Sequence, residues 1–345
     1  MSELALYRKY RPSKFSEVIG QESVVQVLSG ALKLGNIAHA YLFAGSRGTG
    51  KTSVARILAR ELETQPEDLY EIDGASNRGI DEIRALREAV GTLPFRSPRK
   101  VYIIDEVHML TKEAFNALLK ILEEPPSHVV FILATTELER VPETIISRCQ
   151  TFAFQKPSQP ALQDLLQHIA KQEKFKLDKD AGELIALLGD GSFRDVTGLL
   201  QQAMSASSDH KITLAEAELV TGAPAAVLVR RLAQAILENN LSVALEQVQA
   251  SNSRSYSAQT LIKLLLRQLR LALLVRLDDK NSQTIWLAGL SADEINSIKK
   301  LSEHENASRL PEILRELLAA HTETAKAAVS LLPLELALVK LAKPV

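Results

Sequence analysis

A glycine-rich stretch contains the first group of residues that could do chemistry. It reads "GSRGTGKT" at 45–52 and fits the pattern G-x-x-x-x-G-K-[ST]. An apolar run typical of a strand precedes it and a helical pattern follows, as a phosphate-binding loop requires. Backbone N–H groups of such a loop surround phosphate oxygens, and the helix N-terminus adds partial positive charge. Lys51 would reach the β- and γ-phosphates, and Thr52 would offer its hydroxyl to Mg²⁺. The pattern predicts an ATP site formed by Gly45, Ser46, Arg47, Gly48, Thr49, Gly50, Lys51 and Thr52.

A second stretch, "VYIIDE" at 101–106, ends in the acids Asp105 and Glu106. An apolar strand that ends in acid places carboxylates at the C-terminal edge of a sheet, beside the phosphate-binding loop. Asp105 would hold Mg²⁺ directly or through water, and Glu106 would orient and polarise the attacking water. Two acids at a strand end carry little meaning alone, but with the loop they predict hydrolysis of ATP.

A third strand-like run, "FILATTE" at 131–137, ends in two threonines and is expected beside the acid strand. A hydroxyl there would bond the γ-phosphate or the water. Thr136 is the preferred residue and Thr135 the alternative, although threonine is common at strand ends.

Two arginines are also candidates, Arg148 in "ISRCQ" and Arg194 in "GSFRD". Phosphoryl transfer is accelerated by a guanidinium near the γ-phosphate. Without further information, each would more simply be a surface or structural arginine.

The elements that position these residues alternate up to about residue 155. Strand-like runs alternating with helical patterns indicate an α/β fold with a parallel sheet in residues 1–155. Residues 156–221 and 222–345 are helical by pattern, and the apolar run 258–277 is expected to be buried between helices, of this chain or of several chains. The predicted strands are 39–45, 69–75, 101–106 and 128–136.

Composition narrows the class of protein. The chain has 345 residues, a formal net charge of −1 and one cysteine, Cys149, which excludes an internal disulfide and a cysteine-based zinc site. The sequence has no apolar run of about 18 residues or more, so no membrane span is predicted. The N-terminus lacks the apolar run of a signal peptide, which favours a cytoplasmic protein.

Seven stretches together carry a resemblance to a known family. The chain resembles the AAA+ clamp-loader ATPases, and within them the gamma/tau group of bacterial DNA polymerase III, densely over 1–205 and more thinly over 206–345. This implies a RecA-like parallel sheet with a P-loop (1–155), a small helical lid (156–221) and an all-α C-terminal collar (222–345). The stretches, in order, are "YRKYRPSKFSEVIGQ", "GSRGTGKT", "IDEVHML", "LLKILEEPP", "LATTE", "ISRC" and "GSFRD".

The resemblance also implies roles for single residues. Arg148 looks like an arginine finger that acts in trans, on ATP bound by the neighbouring subunit. Arg194 resembles the arginine that reports bound ATP to the lid, and Thr136 the polar residue that senses the γ-phosphate. Pro12, Val18 and Ile19 fall where the family contacts adenine.

Partners follow from the same resemblance. The family works as a pentameric ring with delta- and delta-prime-like subunits, which opens a sliding clamp and loads it onto primer-template DNA. Gamma/tau members usually carry a four-cysteine zinc module after the P-loop helix, whereas 59–76 contains no cysteine, so no zinc is predicted. Arg78, Arg84 and Lys120 fall near positions where the family touches DNA, and the basic loop 93–100 would face DNA, the clamp or neither.

The leading hypothesis is therefore an ATP-hydrolysing motor subunit of the replicative clamp loader. A hexameric AAA+ ATPase that remodels DNA is one alternative. A clamp-loader scaffold subunit that does not hydrolyse ATP is another, although the intact loop and acid pair argue against it.

Overall fold

The structure is a computed structural model, in which contacts divide the chain into two compact units. One comprises Met1–Leu165 with Gly189–Gly198, and the other comprises Leu166–Leu188 with Leu199–Val345. The three-domain division inferred from the sequence stays a prediction. Residues described are 4–77, 79–253, 256–277, 287, 290 and 292–342, with the side chains of 80–82, 84, 252 and 253 left undescribed.

A five-stranded parallel sheet forms the centre of the first unit, in the order β2-β3-β4-β1-β5. Four of its strands lie within a residue or two of the predicted runs, so the α/β class with a parallel sheet is confirmed. The strands are β1 (Ala40–Ala44), β2 (Leu69–Asp73), β3 (Lys100–Asp105), β4 (Val129–Thr135) and β5 (Gln150–Ala153).

The fifth strand, β5, is not among the predicted runs. Its exposed residues Gln150, Thr151 and Ala153 lack the apolar continuity of a buried strand, and only Phe152 is buried. It pairs with β1 at the edge of the sheet, where a strand is less buried than at the centre and needs fewer apolar residues.

Helices cover both faces of the sheet. Alternate strand residues face α4 and α5 on one side and α2 and α3 on the other, as the two-residue period of a strand requires. The helices are α1 (Leu6–Lys9), α2 (Glu22–Leu34), α3 (Lys51–Glu61), α4 (Ile80–Val90), α5 (Lys112–Glu123) and α6 (Glu143–Ile146), with 3₁₀ turns at Phe15–Glu17, Pro66–Asp68, Val107–Met109 and Leu138–Arg140.

Aromatic rings cross the sheet on each face. Tyr70 and Tyr102 stack with ring centroids 4.8 Å apart, and Tyr102 stacks on Phe131 at 5.4 Å, so three neighbouring strands share one aromatic row. On the opposite face Phe43 meets the ring of Phe152 edge-on at 5.8 Å. Such pairs add to the free energy of apolar burial and fix the strand register.

The part of the second unit that the structure describes is mainly helical and contains a two-stranded parallel pair, β6 (Lys176–Leu177) and β7 (Lys211–Ile212). Helices α7 and α9 contribute residues to both units. The helices are α7 (Gln159–Gln172), α8 (Lys179–Leu188), α9 (Phe193–Ala206), α10 (Leu214–Thr221), α11 (Ala226–Leu237), α12 (Leu241–Ser253), α13 (Ala258–Leu277), α14 (Ala292–Glu303), α15 (Leu310–Thr324) and α16 (Leu332–Leu341), with a 3₁₀ turn at Glu305–Arg309.

Helix α13 coincides with the apolar run 258–277 and packs against α11, α14 and α15. Its inward residues, including Leu261, Leu265 and Leu269, are fully buried. Its neighbours in these packing contacts are helices of the same chain, which accounts for its apolar circumference.

Within the described residues, no single helix has the length and apolar composition to cross a membrane. One pair, α10 and α11, meets those criteria only jointly and is bent by 80° between its helices.

Candidate nucleotide-binding site

The glycine-rich loop joins β1 to α3 and has the backbone that its sequence predicts. Gly48 and Gly50 have φ angles of 75° and 101°, in the region that favours glycine. A Cβ at Gly48 would overlap the Ser192 hydroxyl, so a glycine is required at that position. The loop backbone can therefore approach a ligand closely, as a phosphate-binding loop must.

Lys51, at the start of α3, is 6% exposed. Its Nζ donates to the carbonyl oxygens of Gly45 at 2.7 Å and Ser46 at 2.9 Å. Burial lowers the pKa of Lys51, while the charges of Glu106 and Asp105 act in the opposite direction. A phosphate anion is a stronger partner than two carbonyls, so a triphosphate fits this buried ammonium.

Thr52 and Asp105 meet although strand β4 lies between the strands that lead to them. Thr52 Oγ1 donates to Asp105 Oδ2 at 2.7 Å, and Asp105 Oδ1 accepts the N–H of Glu106 at 3.0 Å. A hydroxyl and a carboxylate are the oxygen ligands that Mg²⁺ prefers. These two residues fit a magnesium ion, and binding the metal would replace their mutual hydrogen bond.

Glu106 has a left-handed backbone, with φ 48° and ψ 46°, which is uncommon for a residue other than glycine. Its Oε2 accepts a hydrogen bond of 2.9 Å from Thr136 Oγ1. The hydroxyl of Thr135 lies instead 3.0 Å from His108 Nδ1. The geometry favours Thr136 over Thr135 for a role beside Glu106, although that role stays a prediction.

Gln21, which the motifs did not single out, is a buried amide that connects the glycine-rich loop to the segment after β5. Gln21 is 2% exposed, and its Nε2 donates to the carbonyl oxygens of Gln155 at 2.7 Å and Thr49 at 3.4 Å. Its Oε1 accepts the N–H of Gln155 at 3.2 Å. The only sequence signal was its place at the end of the family-like stretch 7–21.

The start of α9 also contacts the loop. The N–H of Phe193 donates to Gly48 O at 2.9 Å, which ties the "GSFRD" stretch to the loop backbone. Next to it, the exposed guanidinium of Arg194 lies 5.4 Å from the ring centroid of Tyr7. Arg194 therefore lies one residue from a loop contact, while its proposed nucleotide-sensing role stays a prediction.

Arg148 follows α6 and is partly exposed. Its guanidinium donates to Thr144 O at 2.8 Å and Glu123 Oε1 at 2.9 Å. These contacts connect it to the ends of α5 and α6 and leave its role in trans untested.

Cys149, the residue after Arg148, packs against the apolar core beneath α5 and α6. Burial raises the pKa of its thiol to about 12, so the reactive thiolate is scarce at neutral pH. The structure therefore supports a packing role for this cysteine.

The residues predicted to contact adenine and DNA have fewer described interactions than those of the loop. Val18 packs on the core formed with α2 and α3, Pro12 is half-buried, and Ile19 is 37% exposed, so their contact with adenine stays a prediction. Lys120 lies on an exposed face of α5. Arg78 lies outside the described residues, as does the side chain of Arg84.

The described residues contain no group of three or more His, Cys, Asp or Glu side chains that could hold a metal ion. The absence of zinc stays a prediction.

Comparison with known proteins places the chain in a family. The family described as "DNA polymerase III, delta subunit" matches residues 20–79 and 63–158. The "DNA polymerase III clamp loader subunit, ATPase lid domain" matches residues 161–209. Subunit tau of Bacillus subtilis is 39% identical over 94% of this chain. The chain belongs to the DNA polymerase III gamma/tau family.

Other gamma/tau relatives agree. The subunit gamma/tau of Mycobacterium tuberculosis is 43% identical over 62% of this chain and 41% of its own length. Subunit tau of Salmonella typhimurium is 37% identical over 80% of this chain and 46% of its own length. The chain spans 60% of the length of the Bacillus subtilis relative, so these proteins are longer than the part they share with it.

A solved structure confirms the fold of this gamma/tau family chain. The Holliday junction branch migration motor RuvB of Thermotoga maritima superposes with a TM-score of 0.52, covering 66% of this chain and 80% of that one. Its sequence identity is 24%, so the likeness concerns the fold alone. The chain has the AAA+ ATPase fold, with a lid and a helical C-terminal region.

Proposed function

We propose that the chain is an ATP-hydrolysing motor subunit of the replicative clamp loader, opening the sliding clamp and loading it onto primed DNA within the DNA polymerase III holoenzyme. The observation that carries the proposal is the meeting of three sequence motifs at one edge of the sheet. Lys51 and Thr52 of the loop face the acids of β3, and Thr136 after β4 bonds to Glu106. Family membership supports the partners named below.

The hydrolysis of ATP assigns a task to each of these side chains. Glu106 accepts a proton from water while the water oxygen bonds to the γ-phosphorus and the bond to the bridging oxygen breaks, giving ADP and phosphate. Lys51 binds the β- and γ-phosphates. Thr52 and Asp105 would hold Mg²⁺, whose charge would neutralise phosphate oxygens.

Arg148 completes the site of the next subunit. Its guanidinium would bind the γ-phosphate of a neighbour and stabilise charge that develops during transfer. Arg194 would report bound ATP to the lid, and Pro12, Val18 and Ile19 would contact adenine. The ring is a pentamer with delta- and delta-prime-like subunits, joined through the collar helices, in the cytoplasm.

The loop 93–100 supports the proposed contact with the clamp, because Asp68 holds part of its backbone. The buried carboxylate of Asp68 accepts the N–H groups of Phe95 at 2.6 Å and of Arg96 and Ser97 at 2.9 Å. Phe95, at the start of the segment held by Asp68, is 73% exposed, and Leu93, two residues before it, is 78% exposed. Exposed apolar side chains on a fixed backbone suit a protein partner, because little conformational entropy is lost on binding.

Contact with DNA rests on local positive charge, since the chain is nearly neutral. Lys120, on the exposed face of α5, would bind a phosphate, and Arg78 and Arg84 would do the same. Such contacts weaken as salt concentration rises.

The test is an ATPase assay with cognate clamp-loader subunits, clamp and primed DNA. We expect the clamp and DNA together to stimulate turnover. Lys51→Ala should lose nucleotide binding, whereas Arg148→Ala should bind ATP and lose the stimulated turnover. If no combination of subunits, clamp and DNA hydrolyses ATP, the proposal of a motor subunit is wrong. Stimulated turnover in Arg148→Ala would exclude Arg148 as an arginine finger.

The mass of the assembly separates this proposal from its AAA+ alternative. We expect a five-subunit ring that contains other clamp-loader subunits. A hexamer of this chain alone that moves along DNA would indicate a remodelling ATPase instead.

A further inference from the structure

A cavity in the second unit belongs to none of the sites described above. Helices α8, α10, α11, α13 and α14 line it, together with Pro224 between α10 and α11. The volume open to the centres of water molecules is about 180 Å³, whereas a single water needs only ~10–15 Å³. The cavity therefore has room for a small organic molecule, one below the size of a drug.

The charges around the cavity are mostly negative. Five acids and two arginines line it, so five negative and two positive charges give a net charge of −3 when every acid is ionised. The acids are Asp180 and Glu183 of α8, Glu218 of α10, and Asp293 and Glu294 of α14, and the arginines are Arg230 of α11 and Arg267 of α13. A cation is therefore the favoured kind of ligand, because the summed charge would repel an anion.

Glu183 is the most buried of these acids, with 2% of the residue exposed. Neither of its carboxylate oxygens accepts a hydrogen bond from a described residue. Its ion-pair partner is Arg267, whose Nη2 lies 3.8 Å from Glu183 Oε2, which is too far for a hydrogen bond. A buried carboxylate that receives no hydrogen bond is costly in free energy, so a ligand that donates to Glu183 would be bound favourably.

Arg267 does not compensate two carboxylates at once. Its Nη1 donates to Glu294 Oε1 at 3.1 Å, so the hydrogen bond goes to α14 and not to Glu183. One guanidinium thus faces two carboxyl groups, and one negative charge is left over when both are ionised. A proton neutralises that charge up to about pH 8, because burial and the neighbouring Glu294 raise the pKa of Glu183 to about 8. A cationic ligand would take the place of that proton.

The rest of the cavity wall is apolar. Nine of the seventeen lining residues are apolar, among them Leu184 and Leu187 of α8 and Leu264 and Leu271 of α13. The hydrocarbon part of a ligand would be removed from water against these side chains, which favours binding. A divalent metal ion suits this wall poorly, because Mg²⁺ or Ca²⁺ takes about six or more oxygen ligands.

We infer that this cavity binds a small organic cation, an aliphatic amine whose ammonium group donates to Glu183 and Glu294 and whose hydrocarbon chain lies along the leucines of α8 and α13. An ammonium group has three donors, which is enough for two carboxylates, and its hydrogen bonds to them are charge-assisted. The inference goes beyond the proposed ATP hydrolysis and does not rest on it, since no residue that lines the cavity belongs to the nucleotide site.

The experiment titrates the full chain with butylamine, which is protonated at neutral pH, in a calorimeter at constant ionic strength. The uncharged 1-butanol tests binding by the apolar wall alone, and MgCl₂ tests binding of a metal. The variants Glu183→Gln and Glu294→Gln keep the size of the side chain and remove its charge. Glu246→Gln, on an exposed position of α12, is the matched control. Thermal unfolding of each variant checks that it is folded.

We expect butylamine to saturate one site in the unmodified chain and in Glu246→Gln. At pH 8.5 the affinity should fall about tenfold or more in Glu183→Gln, because a buried charge-assisted hydrogen bond is lost, and it should also fall in Glu294→Gln.

The pH dependence of binding separates a ligand contact from a structural role of Glu183. The proton on Glu183 must leave when the ammonium group binds, so affinity should rise from pH 6 to pH 8 by up to about tenfold per pH unit. Titrations at pH 7 in buffers of different ionisation enthalpy should show that the unmodified chain releases a proton on binding. Glu183→Gln should release none, and its affinity should not rise in this way.

The inference is wrong if butylamine does not saturate a site in the unmodified chain at pH 8.5, or if Glu183→Gln and Glu294→Gln bind it as tightly as the unmodified chain. Equal affinity for 1-butanol would mean that the apolar wall alone binds the ligand, which also contradicts a cation site. Binding of Mg²⁺ that depends on Glu183, without binding of butylamine, would indicate a metal site instead. If Glu183→Gln does not fold, Glu294→Gln decides, since the side chain of Glu294 is 30% exposed and tolerates substitution more readily.

Discussion

Arg148 forms an ion pair with Glu123 of its own chain, with 2.9 Å between Nη2 and Oε1. An arginine that binds a phosphate of another subunit must first exchange this carboxylate. The side chains are 35% and 45% exposed, so the pair is a weak restraint of the order of 1 kcal/mol or less. In the proposed ring, Glu123 would thus compete with the neighbour's ATP for the same guanidinium.

Removing that competitor should raise stimulated activity. We expect Glu123→Gln to increase turnover up to about fivefold at limiting subunit concentration, which corresponds to the weak ion pair. The measurement is ATP hydrolysis with clamp and primed DNA. Glu124→Gln, the adjacent exposed acid, is the control and should behave as the unmodified chain. A loss of turnover as large as that of Arg148→Ala would mean that Glu123 positions the arginine.

The hydroxyl of Thr52 should determine the requirement for magnesium. We expect Thr52→Val to raise the Mg²⁺ concentration for half-maximal ATPase activity by about tenfold or more, because a metal ligand is lost. Thr52→Ser retains the hydroxyl and should recover most of the affinity. Equal magnesium dependence in Thr52→Val and Thr52→Ser would exclude Thr52 as a ligand.

The hydrogen bonds between Asp68 and the loop 95–97 should make the stability of the folded chain depend on pH in the acid range. Burial alone would raise its pKa, but N–H donors of Phe95, Arg96 and Ser97 and the Ser97 hydroxyl outweigh burial and lower the pKa from 3.8 to about 2. The folded state therefore binds its proton less readily, so the stabilisation is present above about pH 4 and lost as pH falls towards 2.

Asp68→Asn should accordingly destabilise the chain by about 1–3 kcal/mol at neutral pH and weaken binding to the clamp. Nucleotide binding should remain. Thermal unfolding, a clamp-binding titration and a nucleotide titration measure these effects. Glu67→Gln, which alters an exposed neighbour, should change little. If Asp68→Asn is destabilised but its affinity for the clamp is unchanged, the loop does not contact the clamp.

Glu183 should make the second unit sensitive to alkaline pH. Burial and the neighbouring Glu294 raise the pKa of Glu183 from 4.5 to about 8, against the attraction of Arg267. The folded state then holds a proton that the unfolded chain releases, so stability falls as pH rises between about 4.5 and about 8.

Glu183→Gln removes this dependence, because an amide does not ionise. We expect its melting temperature to exceed that of the unmodified chain at pH 9 by roughly 2–4 °C or more, with a smaller difference at pH 5. Glu246→Gln on an exposed position of α12 is the control. Parallel pH dependence in Glu183→Gln and the unmodified chain would show that Glu183 is ionised throughout.

The residues that could be inferred from the sequence are those whose neighbours in the chain define their task. Lys51 and Thr52 belong to one loop, and Asp105 and Glu106 end one strand, so local spacing was sufficient. Thr136 required a further assumption, that β4 lies next to β3, and the sheet order agrees.

What sequence reasoning missed depends on contacts between distant segments. Gln21 bonds to Gln155, and Asp68 bonds to the loop at 95–97. The sequence also does not show that His108 lies beside Glu137, with 3.3 Å between Nε2 and Oε1. Each is a polar group that is buried only after the chain folds, and burial is what makes its hydrogen bonds costly to lose.

The aromatic rows of the sheet also give the two units different optical properties. Tyr70 and Tyr102 lie stacked in the asymmetric environment of the first unit, whereas the core helix α13 contains no aromatic residue. Near-ultraviolet circular dichroism at tyrosine wavelengths should therefore report chiefly on the first unit, which holds five of the six tyrosines. Far-ultraviolet ellipticity is dominated by helices. Comparing the two signals during denaturation would reveal whether the nucleotide-binding unit and the helical unit unfold together or one after the other.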